Sequence, residues 1–180
     1  MSRLGWAIVM VASVATANGC KLLETTEGGT HMLSQGARAP DVSGVDQDGV
    51  THRLKDSKAR ATLVYFYPKD ETPGCTREAC AFRDAWNQFR AADVQVFGVS
   101  NDTRESHRQF ASNHSLLFPL IADPKGQWAD AFGVGRKNGN YLRVSFLIGP
   151  GATIAKVYPN VDPAVHAEEV LKDVKDLLGH

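Results

Sequence analysis

Two periodicities alternate along this chain. Short runs rich in β-branched and aromatic residues read as buried or half-buried strands: Ala61–Tyr67 (ATLVYFY), Val94–Ser100 (VQVFGVS), Val144–Gly149 (VSFLIG) and Thr153–Tyr158 (TIAKVY). Between and after them, Cys75–Arg90, Thr103–His114 and Pro163–Leu178 have helical spacing. Strands that alternate with helices imply βαβ crossovers, so the pattern predicts an α/β sheet. Asp102 with Glu105 resembles a capping box for the second helix, and Asp162-Pro163 resembles a cap followed by proline at the first helical position of the third. Ahead of these, Asp46-Gln47-Asp48-Gly49 is a turn signal between strand-like pieces, which predicts an N-terminal hairpin. A calcium loop at this Asp-rich turn would need a later acidic ligand that the sequence lacks.

A length of 180 residues fits one domain on a prior of roughly 100 to 200 residues each. At 43% hydrophobic and 22% charged residues the chain can bury an ordinary core. Twenty basic and twenty acidic residues cancel, which argues against a nucleic-acid footprint and for a small or neutral substrate. The start reads differently. Arg3 precedes the apolar or small run Leu4–Ala17, the layout of an export signal. The run falls short of the ~20 residues that a membrane-spanning helix needs. Two cleavage schemes are open: Ala15-Thr16-Ala17 fits an A-x-A site, whereas Gly19-Cys20 resembles the end of a lipoprotein box and would put a lipid anchor on Cys20. Residues 1–20 are therefore expected to be a leader, polar residues 21–36 a linker, and 37–180 the folded domain. Such a chain would be exported, either periplasmic or anchored to the membrane on that side.

The segment with most chemical content is Tyr65-Phe66-Tyr67-Pro68-Lys69-Asp70-Glu71-Thr72-Pro73-Gly74-Cys75-Thr76-Arg77-Glu78-Ala79-Cys80, a strand, a turn and a helix. Thr72 is a good N-cap and Pro73 fits the first helical position, which makes Cys75 the third helical residue. There the backbone N–H groups and the positive helix end favour a nucleophilic thiolate. Ala79, Phe82, Trp86 and Phe89 continue the apolar face that Cys75 begins. Arg77, Glu78 and Arg83 read as solvated helix charges. Cys80 lies five residues on, where helical geometry separates the two α-carbons by roughly 8 to 9 Å. A disulfide normally needs less than ~7 Å, so a Cys75–Cys80 bond requires local unwinding.

Other cysteine chemistries fit less well. A C-x-x-C dithiol motif is missing, and the spacing of cysteines and histidines does not suggest a zinc site. A cysteine hydrolase would need His107 or His114 as its base. A disulfide oxidoreductase acting through Cys75 and Cys80, and a binding lipoprotein without turnover, are further alternatives.

At Pro68-x-x-x-Thr72-x-x-Cys75 the sequence resembles the peroxiredoxins, and FYPKDETPGCTREACAFRD is similar to their Q-type, or bacterioferritin comigratory protein, subgroup. The likeness extends through APDVSGVDQDG, VFGVSNDTRESHRQF, FPLIADPKG and YLRVSFLIG, in the family's order. The resemblance implies a thioredoxin-like fold with a central mixed sheet flanked by helices, extended by the N-terminal hairpin. It implies a peroxidase in which Cys75 is the peroxidatic cysteine and Thr72 bonds thiolate and peroxide. Pro68 would shield the pocket, Arg143 would hold the reacting atoms, and Cys80 would be the resolving cysteine. Peroxide as substrate, thioredoxin or a similar protein as reductant, no metal or other cofactor and a monomeric state follow from the same resemblance.

Overall fold

The computed structural model describes residues 31–179, so the expected leader over 1–20, Cys20 and most of the 21–36 linker lie outside the described residues. The chain forms β1 (Ser43–Asp46), β2 (Thr51–Arg53), a 3-10 turn and β3 (Ala61–Phe66). Two consecutive helices, α1 (Pro73–Asp84) and α2 (Trp86–Ala91), lead to β4 (Val94–Ser100), and α3 (Arg104–His114) leads to β5 (Leu120–Ala122). There follow α4 (Gln127–Phe132), a small hairpin of β6 (Arg136–Lys137) and β7 (Asn140–Tyr141), then β8 (Val144–Gly149), β9 (Thr153–Tyr158) and α5 (His166–Leu178).

Seven strands form one sheet in the order β2-β1-β5-β4-β3-β8-β9. β3, β4 and β5 run parallel, as helical crossovers require, while β8, β9, β1 and β2 join antiparallel. The expected central mixed sheet is therefore present. Every residue of β3 is buried, because helices or packed chain cover both faces of this central strand. On one face Leu63, Tyr65 and Tyr67 pack with Phe82, Phe89, Phe110 and Val170 from α1, α2, α3 and α5. On the other, Val64 and Phe66 pack with Trp128 and Phe132 of α4 and with Phe146 of β8.

The N-terminal hairpin forms where the turn signal stands. Asp46 Oδ1 accepts from the backbone N–H groups of Asp48 and Val50, both at 2.9 Å, and Gly49 takes the left-handed φ of +86° that closes the turn. Other expectations need correction. The helix expected over Cys75–Arg90 is two helices, broken at Ala85 with φ −87° and ψ 0°. Thr103, not Asp102, caps α3: its side chain accepts from Ser106 N at 3.2 Å, while Asp102 is drawn into contacts with Asp70 and Ser100. Asp162 does accept from Ala164 N at 2.9 Å, yet α5 is regular only from His166. The stretch before Ala37 is also in contact with the domain. Leu33 N donates to Phe132 O at 3.0 Å, and Gly36 N donates to Ile154 O at 2.8 Å.

Candidate active site

Beyond β3 the apolar run continues into the buried Tyr67 and stops at the half-buried Pro68. The loop that follows is tied down by a buried polar cluster. Asp70 is 5% exposed, and its carboxylate accepts from Tyr67 Oη at 2.8 Å and Ser106 Oγ at 2.7 Å, with His107 Nδ1 2.9 Å away. Its backbone N–H donates to Asp102 Oδ2 at 2.9 Å, and that carboxylate is held in turn by Ser100 Oγ. Burial pushes the Asp70 carboxyl up, but His107, Ser106 and Tyr67 outweigh it and hold the group below its ordinary value. Glu71 next to it takes a left-handed φ of 58°, a strained conformation for this residue type. Its carboxylate is fixed by Asn113 Nδ2 at 2.9 Å and His114 Nε2 at 2.8 Å, which hold it below the usual carboxylate range.

This loop delivers the chain to the N-terminus of α1. Thr72 occupies the N-cap position with extended backbone, and Pro73 follows inside the helix, as expected. The hydroxyl makes no cap bond, however, and donates back to Lys69 O at 3.0 Å. Cys75 is the third helical residue and is 1% exposed. Arg143, placed by the approach to β8, donates from Nη2 to Cys75 Sγ at 3.1 Å and from Nη1 to Glu78 Oε2. Gly74 makes room for this guanidinium, since a β-carbon there would lie 3.2 Å from Nη2.

Glu78 is the residue that sequence reasoning misassigned. It is wholly buried rather than solvated, its Oε1 has no hydrogen-bond partner among the described residues, and burial raises its pKa to about 7 against the opposing pull of Arg143. The available signal was its position: Glu78 is three residues after Cys75 and four before Phe82, on the face that turns inward. Arg143, expected to hold the reacting atoms, has only 17% of its side chain exposed. Burial disfavours its charge, but Glu78 and Cys75 more than compensate and raise its pKa.

The structure therefore brings Cys75 and Arg143 together and adds Glu78. Thr72 stands at the cap one turn earlier, and Pro68 lies at the exit from the central strand. Cys80 lies further along the same helix, partly exposed, and both cysteines are free thiols. Neither histidine considered as a hydrolase base serves Cys75. His107 directs Nδ1 to Asp70 and Nε2 to Ile121 O at 3.2 Å, and His114 is paired with Glu71.

Residues 35–157 match the AhpC/TSA family model. Peroxiredoxin Bcp of Bacillus subtilis is 38% identical over 149 residues, covering 79% of this chain and 95% of that protein. Chloroplastic peroxiredoxin Q of Oryza sativa subsp. japonica is 37% identical over 155 residues, 81% of this chain and 68% of its own. Among solved structures, peroxidoxin BcpB of Mycobacterium tuberculosis superposes with a TM-score of 0.76 at 30% identity, covering 82% of this chain and 99% of that one. Peroxiredoxin Q of Xanthomonas campestris gives 0.72 at 30% identity, with 81% and 96% covered. The fold is thus the thioredoxin-like fold of these structures, and the chain belongs to the AhpC/TSA family, in its peroxiredoxin Q (Bcp) group.

Proposed function

We propose that this protein is a thiol peroxidase that reduces hydrogen peroxide and organic hydroperoxides, with Cys75 as nucleophile and Cys80 as resolving thiol. The observation that carries the reading is the Cys75 sulfur, buried at a helix N-terminus and 3.1 Å from an arginine nitrogen. The thiolate attacks the terminal oxygen of the hydroperoxide. An S–O bond forms as the O–O bond breaks, and the departing alkoxide or hydroxide takes up a proton to leave as alcohol or water. Arg143 faces both the thiolate and the oxygens on which charge develops, and Glu78 fixes its orientation through the second guanidinium nitrogen. The Thr72 hydroxyl, which donates to Lys69 O, keeps its lone pairs for a proton of the incoming peroxide. Pro68 shields the pocket from water.

The Cys75 sulfenic acid then condenses with Cys80 to an intramolecular disulfide, which an external thioredoxin-like dithiol reduces. Both cysteines lie on regular α1, so the roughly 8 to 9 Å between their α-carbons requires the first turns to open before the bond closes. The apolar leader supports export and Gly19-Cys20 supports a lipid anchor, with cleavage after Ala17 as the alternative, while a monomeric state rests on the family resemblance. Intact mass of the protein from membrane and soluble fractions would show the lipid or its absence.

Peroxide consumption by the purified full chain, with a dithiol reductant, tests the reading. Cys75→Ser abolishes turnover, and Cys80→Ser accumulates sulfenic or overoxidised Cys75. Equal rates for wild type and Cys75→Ser would overturn it, and insulin reduction by wild type would then favour disulfide exchange.

A further inference from the structure

The loop between β3 and α1 is held by α3, and the four side chains that hold it follow the helical repeat. Ser106 Oγ donates to Asp70 Oδ2 at 2.7 Å, and His107 Nδ1 lies 2.9 Å from the same oxygen. Seven residues further on, Asn113 Nδ2 donates to Glu71 Oε1 at 2.9 Å, and His114 Nε2 lies 2.8 Å from Glu71 Oε2. Seven residues are close to two turns, so both pairs lie on one stripe of α3, roughly 10 Å apart along its axis. The end of α3 is in turn fixed to the active-site helix, because His114 O accepts from Arg83 Nη1 at 2.8 Å.

Stability alone does not call for a glutamate at position 71. Its φ of 58° lies in the left-handed region that a β-carbon disfavours and that glycine would adopt at no steric cost. The bonds that hold it are open to water, with 46% of the Glu71 side chain and 23% of the His114 side chain exposed, where such a pair contributes little to folding. Strain kept beside a reaction centre by dedicated tethers points to a role in the reaction. The next residue is Thr72, whose hydroxyl meets the peroxide and is itself turned to Lys69 O across the same loop.

We propose that Glu71 is a positioning residue for the peroxide: tied to Asn113 and His114, it fixes the left-handed turn that sets the Thr72 hydroxyl for the incoming substrate. The inference rests on the peroxidase reading and deepens it. Cys75 is addressed by other groups, the Arg143 guanidinium and the N-terminal end of α1. Glu71 therefore governs where the peroxide lies and not how reactive the thiolate is. Two reagents separate these effects. Hydrogen peroxide needs the placed hydroxyl, whereas iodoacetamide alkylates the same thiolate without it.

Reduced full chains of wild type, Glu71→Gly and Glu71→Gln are treated with either reagent and followed by rapid quench and intact mass. Glu71→Gly accepts the left-handed φ but has no tether. Its Cys75 oxidation by peroxide is expected to fall about tenfold or more, the scale of a displaced positioning group, while alkylation stays within about twofold of wild type. Glu71→Gln keeps an acceptor within reach of both partners and stays close to wild type with both reagents. Asn113→Ala cuts one tether from the α3 side and is expected to fall between wild type and Glu71→Gly. Thr72→Val and the double variant Thr72→Val with Glu71→Gly are expected to be oxidised at the same reduced rate, since a turn that acts through a hydroxyl has no effect once the hydroxyl is gone. Equal peroxide rates in wild type and Glu71→Gly would overturn the proposal. So would an equal loss in alkylation, or an undiminished loss on top of Thr72→Val. Oxidation of wild-type Cys75 no faster than that of a free thiol would bring down the peroxidase reading itself, and this assignment with it.

Discussion

At Cys75 the sulfur shares the Arg143 guanidinium with a carboxylate that burial pushes towards its neutral form. Removing the cation with Arg143→Ala should lower the rate of Cys75 oxidation by about 100-fold or more, the scale seen when one preorganised donor to a developing charge is lost, and stopped-flow oxidation kinetics would measure it. Glu78 makes a prediction about stability with a definite sign. Its folded pKa of about 7 lies above the ordinary carboxylate value, so between the two the folded state holds more protons than the unfolded chain. Stability from this group is present at low pH and lost as pH rises towards 7, by about 3 kcal/mol in total. Glu78→Gln should abolish that slope, so that the variant gains on wild type between pH 4 and 8 in urea denaturation. A constant difference across that range would contradict the assignment. At this scale the sequence was partly legible. Cys75 and Thr72 announced themselves through the TPGC turn, whereas Arg143 looked like any strand-end charge until the family motif singled it out. Glu78 was hidden by its charged neighbour Arg77, although its spacing from Cys75 and Phe82 put it on the buried face.

Among elements, α1 carries the chemistry and the loop before it carries the tension. The break at Ala85 escaped sequence reading because the apolar stripe Cys75, Ala79, Phe82, Trp86 and Phe89 runs across it without a change of phase, and the Ala85 N–H still donates to Ala81 O at 3.1 Å. Short elements such as β6 and β7, two residues each, hold too few positions for any period to show. Asp102 was misread as a cap because a carboxylate there suits either a helix start or the loop, and the buried Asp70 N–H claims it. That loop gives a prediction at its own scale. His107 is fully buried against Asp70, so His107→Ala leaves a buried carboxylate with one partner fewer and should cost about 3 kcal/mol in denaturant unfolding. The depressed Asp70 pKa adds stability that is present above its unfolded value and lost as pH falls through the folded one, so acid unfolding of His107→Ala should begin at higher pH than in wild type. In α1 itself, hydrogen exchange over residues 75–82 should be less protected in the disulfide form than in the dithiol form. Unchanged protection would mean that Cys75 and Cys80 close without unwinding.

The whole sheet has two ends, and each is treated differently. At one edge β2 is only three residues long, which leaves little strand to template another chain. At the other, β9 presents six residues, and the segment before the hairpin covers part of them. Gly36 N donates to Ile154 O, Ile154 N to Ala37 O and Ala39 N to Ala152 O, each at 2.8 Å, while Leu33 and Ala37 pack into the core face that α4 supplies. Polar composition made residues 21–36 read as a tether, and nothing in the sequence marks Leu33 as an inward residue, because a single apolar side chain among polar ones has no period. The contacts themselves set the expected cost of losing this segment. Four backbone hydrogen bonds, counting Leu33 N to Phe132 O, and a partly buried leucine together contribute about 3 kcal/mol. A chain beginning at Pro40 should therefore melt about 10 °C below one beginning at His31, and it should scatter more light on heating because the β9 edge is open. Cys75 lies across the sheet from this seam, on the face of α1 and α5. Its oxidation rate at 25 °C should then be the same in both chains. Equal melting temperatures would show that the β9 edge needs no cover, whereas a slower Cys75 in the shorter chain would show that the two faces of the sheet are coupled through β3.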